Sequence, residues 1–331
     1  MNYKIPFVNF GAQYLQHRDE YDWAIKNCLL NGKLILQEQL EEFEENLAKR
    51  LGMRYAVGVG NGTDALILAL KSKGYSDDKI LTSPYTFKAT HEAIRHNGFS
   101  VVFRDIDSNR LAEDVHIPVH IEGMVAHSDK AILEDAAQAI GAEGVGYSGT
   151  FTLSFYPAKI LGGFGDGGAV VTNDIDVANK VRLYRHHWQT NVKEEVAYNS
   201  RLDNVQAAFL NVKLKYLDEI LARRKEIAEK YLKAFKKLPI GLPYNQPGRV
   251  WQDFVLQVSQ PERLAGFLKE RGIQTLGYGM TPPPVAWGLD KSCSNTEKLY
   301  AEMIRLPLNE TLTNENIEEI ISAVKEFYAT K

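Results

Sequence analysis

Between Gln37 and Thr172 the chain alternates strand-like runs with amphipathic helical stretches, and this alternation restricts the fold more than any other feature. Gln37 to Leu51 sets Leu40, Phe43, Leu47 and Leu51 on one stripe, the spacing of a helix with one buried face. Tyr55 to Val59 reads as a strand. A turn at Gly60-Asn61-Gly62 separates it from a helix over Thr63 to Lys73. Lys79 to Thr82 predicts a strand and Thr86 to Asn97 a helix. Ser100 to Arg104, Ile117 to Ile121 and the short Ala131 to Leu133 predict strands, as do Thr150 to Phe155 and Gly168 to Thr172. Strands that alternate with helices require crossover connections, which give an α/β fold with a mostly parallel central sheet flanked by helices.

The character then changes. Leu202 to Leu238 is almost continuously helical and is expected to bend or break once. After a Pro/Gly-containing loop over Pro239 to Arg249 come a strand at Trp251 to Val258, a helix at Glu262 to Arg271 and a closing helix at Thr313 to Tyr328. This is the pattern of a smaller C-terminal α+β domain. A chain of 331 residues has room for both units. The expected division is a large domain over 1–225 and a small one over 226–331.

Charge and composition exclude several function classes. Lys and Arg total 39 against 42 Asp and Glu, so no long-range field steers nucleic acid or an anionic membrane. No apolar run nears the roughly 20 residues that span a bilayer. The opening MNYKIPFVNF has neither the apolar stretch nor the small-residue cleavage site of a signal peptide, so a cytoplasmic setting is expected. Cys28 and Cys293 are too few and too far apart for a disulfide framework or a cysteine-based zinc site.

Four clusters carry chemistry. Lys159 lies between Ser154-Phe-Tyr-Pro-Ala and the glycine-rich Ile160 to Gly168. A lone lysine is ordinarily a solvated charge, but a glycine-rich loop lets backbone approach a ligand closely. A lysine desolvated there has a lowered pKa and can form a Schiff base. Asp135 and Gln138, in Leu133 to Gln138, follow a short strand, and ligands of such sheets sit at the carboxyl ends of strands. A carboxylate there can hold the proton of a pyridine nitrogen, and Gln138 can contact the ring's phenolic oxygen. Asp135 alone reads equally well as a helix N-cap. Gly62 and Thr63 lie where a strand turns into a helix, and free N–H groups there suit a phosphate, although a plain capped turn has the same look. Phe87, again after a strand, could stack on a flat ring or be ordinary core. Together they supply a phosphate cradle, a stacking ring, a pyridinium partner and a Schiff-base lysine: the parts of a pyridoxal 5'-phosphate site.

At these residues the chain resembles the DegT/DnrJ/EryC1/StrS family of sugar aminotransferases, which are fold-type-I, aspartate-aminotransferase-like enzymes. The resemblance runs from about Ile5 to Phe327. Its motifs are GNGTDAL, SPYTFKAT, EDAAQAIGA, SFYPAKILGGFGDGGAVVTND and YNSRLDNVQAAFLNVKL. It implies that Lys159 carries pyridoxal 5'-phosphate and shuttles the substrate proton. By the same resemblance Asp135 binds the pyridinium nitrogen, Gln138 the phenolic oxygen, and Phe87 stacks on the ring. The phosphate falls to Gly62, Thr63 and the Ser154 hydroxyl, and to Asn199 reaching into the neighbouring subunit's site. A homodimer with shared active sites is therefore implied, as is ping-pong transfer of an amine, from glutamate, to a nucleotide-linked ketosugar. The wording of the GDGGAVVTND segment leans to a 3-keto-6-deoxy sugar on dTDP.

The chain also departs from that family. The connections at Ser108 to His116 and between Val125 and Leu133 are short for parallel crossovers, which predicts loops or a single turn of helix there. The family's Val-His-Leu-Tyr-Gly stands here as Val119-His120-Ile121-Glu122-Gly123, so the tyrosine's place is taken by Glu122. Arg185-His186-His187 and Thr281 to Pro284 also differ and are expected near the sugar pocket.

Other readings are weaker. Gly163 to Gly168 imitates a dinucleotide fingerprint but leads into a strand rather than opening a helix. His116 and His120 are four residues apart on an expected strand, roughly 13 Å, too far for one zinc, and with His127 they read as ordinary histidines. Arg223-Arg224-Lys225 reads as a solvated helix face. A pyridoxal-phosphate lyase or dehydratase on the same fold is the alternative reaction, although sugar dehydratases of this kind carry histidine in place of the lysine. A non-catalytic regulatory protein is the alternative class.

Overall fold

The computed structural model describes residues 3–188, 195–282 and 293–329. In chain order its regular elements are α1 (Phe10–Gln16), α2 (Arg18–Leu30), α3 (Glu38–Arg50), β1 (Tyr55–Val59), α4 (Gly62–Lys73), β2 (Lys79–Thr82), α5 (Ala89–His96), β3 (Ser100–Phe103), β4 (Glu134–Asp135), β5 (Thr150–Ser154) and β6 (Gly168–Thr172). Then follow α6 (Ile175–Tyr184), α7 (Asn204–Lys215), α8 (Leu217–Phe235), β7 (Phe254–Gln257), α9 (Pro261–Glu270), α10 (Ser294–Glu302), β8 (Met303–Leu306) and α11 (Asn314–Ala329).

The large sheet runs β1-β6-β5-β4. Parallel bridges from Val119 to Asp135 and from Ile117 to Thr82 carry it on to β2, which pairs in parallel with β3. Only β6 is reversed, with Val170 opposite both Val57 and Thr152. The sheet is thus mostly parallel, as the alternation of elements requires. Leu40, Phe43, Phe155 and Leu210 pack on one face, and Leu66, Leu68, Ile94 and Val181 on the other. β1, β5 and β6 are covered on both faces; β1 and β6 are accordingly nearly uniformly apolar or small, whereas β5 alternates Phe151 and Leu153 with the buried hydroxyls of Thr150 and Thr152.

A second core gathers Ile227, Tyr231, Phe235, Phe254, Leu264, Ile304 and Ile320 around the β7–β8 pair. Ile5 joins it through a bridge to Ile273. The expected break in the long helix falls at Tyr216, and α8 then spans both cores, with Leu217 and Ile220 in one and Ile227 in the other.

Several expectations need correction. The strand over Ile117 to Ile121 shrinks to two bridges, because Ile121–Gly123 is a 3-10 turn with Glu122 at φ 56°. The strand at Ala131 to Leu133 forms instead at Glu134–Asp135, and the helix expected from Thr86 begins at Ala89. Arg224 is not solvated: it is 1% exposed, and its guanidinium bonds Glu310 and the carbonyls of Trp251, Gln252 and Leu308. The short connections at 108–116 and 125–132 contain no helix. Among the described residues, no helix is long and apolar enough to cross a membrane.

Candidate active site

The carboxyl ends of the central strands meet one helix start. Asn61 caps α4, its Oδ1 accepting from Asp64 N at 2.8 Å, which leaves Gly62 and Thr63 in the first turn. Gly62 lies against the end of β5: a Cβ there would sit 2.7 Å from Ser154 Cβ and 3.1 Å from its hydroxyl. The structure therefore brings Gly62, Thr63 and Ser154 together around the N-terminus of a twelve-residue helix, where N–H groups and the helix dipole favour an anion. Ser200 closes the turn from behind, its hydroxyl accepting from Gly60 N at 3.1 Å and donating to Asp64 at 2.6 Å. Asn199, next to it, is exposed and forms an isolated bridge with His186.

β4 divides its two acids by the alternation of a strand. Glu134 turns to one side, where His120 Nε2 lies at 2.9 Å and the N–H groups of Gly146 and Ser148 donate to it at 2.8 Å. Burial opposes its charge, but these donors prevail and hold its carboxyl below the usual range. His120 thereby has a structural partner, as does His116, whose Nδ1 lies 3.1 Å from the Tyr75 hydroxyl. Asp135 turns to the other side. Thr90 Oγ1 donates to its Oδ2 at 2.7 Å and Ala137 N to its Oδ1 at 3.1 Å. The N–H of Thr90 bonds the carbonyl of Phe87, which places Phe87, a residue 63% exposed, one turn from the carboxylate. Phe87 is not core. Gln138 is half-buried, its Oε1 accepting from Glu122 N at 2.9 Å.

Lys159 completes the group. Burial lowers its pKa, with the nearby carboxylates Asp253 and Asp135 opposing that shift and Arg305 reinforcing it. Its amine has no hydrogen bond or ion pair among the described residues. A desolvated, unpaired amine facing an anchored carboxylate is chemically a nucleophile and a base. Its loop is strapped by a residue the sequence reading did not single out. Gln252 accepts from Ile160 N at 3.1 Å and donates to Ala158 O at 3.0 Å, gripping Lys159 from both sides. The glycines that follow serve self-packing rather than ligand approach: a Cβ at Gly162 would lie 2.3 Å from Pro157 O, and one at Gly168 2.4 Å from Asn61 O.

These side chains fit pyridoxal phosphate on structural grounds: a helix start packed against the Ser154 hydroxyl, an anchored acid, an amide with a free nitrogen and an unpaired amine. The DegT/DnrJ/EryC1/StrS aminotransferase family model matches residues 16–325. The chain belongs to this family. It is 33% identical to the dTDP-3-amino-3,4,6-trideoxy-alpha-D-glucose transaminase of Streptomyces venezuelae, over 98% of this chain and 96% of that one. It is 31% identical to a pleiotropic regulatory protein of Geobacillus stearothermophilus, over 98% of each. Among solved structures, ntda from Bacillus subtilis with bound cofactor PMP superimposes with a TM-score of 0.88 at 26% identity, over 98% of this chain and 85% of that one. This chain is accordingly a fold-type-I aminotransferase whose cofactor is pyridoxal 5'-phosphate.

The Arg185-His186-His187 departure noted in the sequence has a place in the fold. Arg185 does not face a pocket: it bonds Gly58 O at 2.7 Å and pairs with Glu44 behind β1. His186 and Arg201 lie together at 3.1 Å. Pro283 and Pro284 lie outside the described residues.

Proposed function

We propose that the chain transfers an amino group from L-glutamate to a nucleotide-linked ketosugar, with a dTDP-3-keto-6-deoxyhexose as the first substrate to test, as a cytoplasmic homodimer that makes deoxyaminosugars. The bound cofactor supplies an electron sink that stabilises negative charge on the substrate carbon. Asp135, held by Thr90 and Ala137, keeps a proton on the ring nitrogen. Gln138 donates to the phenolic oxygen, and Phe87 covers a ring face. Gly62, Thr63 and Ser154 bind the phosphate, with Asn199 reaching that of the neighbouring subunit. With pyridoxal phosphate bound, Lys159 Nζ would hold it, and the same amine, when free, would act as the base that takes a proton from the donor carbon in one half-reaction and as the acid that supplies one to the sugar carbon in the other.

The observation that carries this reading is the desolvated, unpaired Lys159 amine set against Asp135. The exposed Asn199 and the exposed apolar Trp23, Leu29, Leu30 and Leu34 support the dimer, since such patches mark protein contacts. The separate C-terminal core supports a large domain over 1–225 and a small one over 226–331.

The test is the visible spectrum of purified protein with pyridoxal phosphate, before and after L-glutamate, for wild type and Lys159→Ala. A band that glutamate converts to the amine form in wild type alone is expected. A band that glutamate leaves unchanged would point to a lyase or another donor. No band at all would favour the regulatory role that the name of the Geobacillus relative suggests.

A further inference from the structure

Glu122 stands where the sequence departs from its family, and it is the centre of a buried ionic cluster beside the site. It is 1% exposed. Its Oε1 accepts from the Tyr85 hydroxyl at 2.7 Å and from Arg110 Nη1 at 3.2 Å, and Arg249 Nη2 lies 4.0 Å from its Oε2. Arg249 also donates to the Glu122 carbonyl at 2.7 Å and lies over the Trp251 ring at 3.7 Å. Arg110 comes from the shortened 108–116 connection, and its second anchor is Val255 O at 3.1 Å. Burial opposes the charge on Arg110, but the field of Glu122 keeps it above its usual pKa.

The backbone of Glu122 is held in the left-handed region at φ 56°, ψ 12°, which a side chain with a Cβ rarely adopts. Gly123 follows at φ 84°, and a Cβ there would lie 2.1 Å from Val250 O. The side-chain and carbonyl bonds to Arg110, Arg249 and Tyr85 compensate for this conformation. In it, Glu122 N–H donates to Gln138 Oε1 at 2.9 Å. A donor N–H can meet only the amide oxygen, so the orientation of Gln138 is fixed and its Nε2 is the end left to act as donor. Among the described residues that nitrogen has no acceptor.

We propose that Glu122 is a positioning residue for the aminotransferase reaction. Clamped by Arg110, Arg249 and Tyr85, it locks Gln138 with its amide nitrogen turned to the phenolic oxygen of the bound cofactor. The inference rests on the reading of Gln138 given under the proposed function. The other ionisable groups around this region are Lys159, Asp135, Asp253, Tyr300 and Arg305. None of them hydrogen-bonds to Gln138, whose recorded partner is Glu122 N.

The readout is the pH midpoint of the visible band of the holoprotein. A donor to the phenolic oxygen favours its anionic form, so losing it raises the midpoint. Gln138→Ala is expected to raise it by about one unit. Glu122→Gln is expected to raise it too, and the double variant to go no further than Gln138→Ala alone, because both act through one hydrogen bond. A purely through-space effect has the opposite sign: removing the negative charge of Glu122 would lower the midpoint, and would still do so without Gln138. An unchanged or lowered midpoint in Glu122→Gln, or additive shifts in the double variant, overturns the proposal. If Glu122→Gln does not fold, Tyr85→Phe, which deletes one hydroxyl from the same carboxylate, decides by a smaller rise or its absence. A wild-type protein with no visible band refutes the proposed function itself, whereas a normal band insensitive to residue 122 refutes only the role of Glu122.

Discussion

Gly62→Ala separates what the fold needs at the start of α4 from what the cofactor needs. The backbone φ of Gly62 is not positive, so alanine is conformationally acceptable and raises helix propensity by up to about 1 kcal/mol. Its Cβ, however, lands 2.7 Å from Ser154 Cβ and 3.3 Å from Ser154 Cα. Carbon atoms in good contact sit about 3.5–4.0 Å apart, so one of the two elements must give by close to an ångström. Ser154 ends β5, which is paired on both sides, and yields poorly. Overpacking of this kind costs about 1–3 kcal/mol, partly offset by the helix gain, for a net loss of about 0–2 kcal/mol in the apoprotein. The cofactor loses more. A displaced Ser154 hydroxyl forfeits a hydrogen bond to a charged phosphate, worth about 1.5–3 kcal/mol, which is roughly a 10- to 100-fold rise in Kd. Thermal unfolding of the apoprotein and an absorbance titration with pyridoxal phosphate measure the two effects separately. A lowered Tm with an unchanged Kd would mean that Gly62 and Ser154 pack together but hold no phosphate, and the cradle would have to be sought elsewhere.

Two further outcomes follow from buried charge. Arg224→Met leaves Glu310 with Lys213 at 4.0 Å as its nearest cation and strands the carbonyls of Trp251, Gln252 and Leu308, so urea unfolding should show a loss of about 3–5 kcal/mol, partly recovered by adding Glu310→Met. His91 is fully buried and burial lowers its pKa to about 4. Between pH 6.5 and 4 the unfolded chain therefore binds a proton the folded one refuses, and stability falls with pH there, by about 2 kcal/mol from pH 7 to pH 5. Above pH 6.5 both states are neutral and His91 has no effect. His91→Gln should remove that part of the slope in urea titrations at the two pH values; an unaltered slope would show that His91 titrates normally.

The parts of the candidate site are legible as motifs because each is local. Each is a short segment in which a strand delivers a residue to the sheet's carboxyl edge: Gly62 after β1, Asp135 at β4, Ser154 at the end of β5 and Lys159 after it. What holds these parts is non-local, and no pattern in one sequence points to it. Gln252 straps Lys159 from more than ninety residues away. Arg224 had the outward look of a basic run, because helical spacing gives a face but not what covers it. Here the cover is Glu310 and three carbonyls of the C-terminal segment. The pattern of the sequence does not mark α1 and α2, for a related reason. α2 buries only Tyr21, Ala24 and Cys28 and leaves Trp23, Leu29 and Leu30 exposed, so its apolar residues do not form one stripe.

Glu122 shows where the two kinds of information meet. The sequence marks it as a departure, and marks the 108–116 connection as short, but as two unrelated facts. In the fold they are one fact. The short connection brings Arg110 to the carboxylate that stands in the tyrosine's place, and a buried acid at that position without a cation would be severely destabilising. The acid and the trimmed loop are therefore coupled. Glu122→Tyr alone would leave Arg110 buried without its carboxylate, at a cost of about 3–5 kcal/mol in urea unfolding, and replacing Arg110 by Met in the same chain should recover part of it.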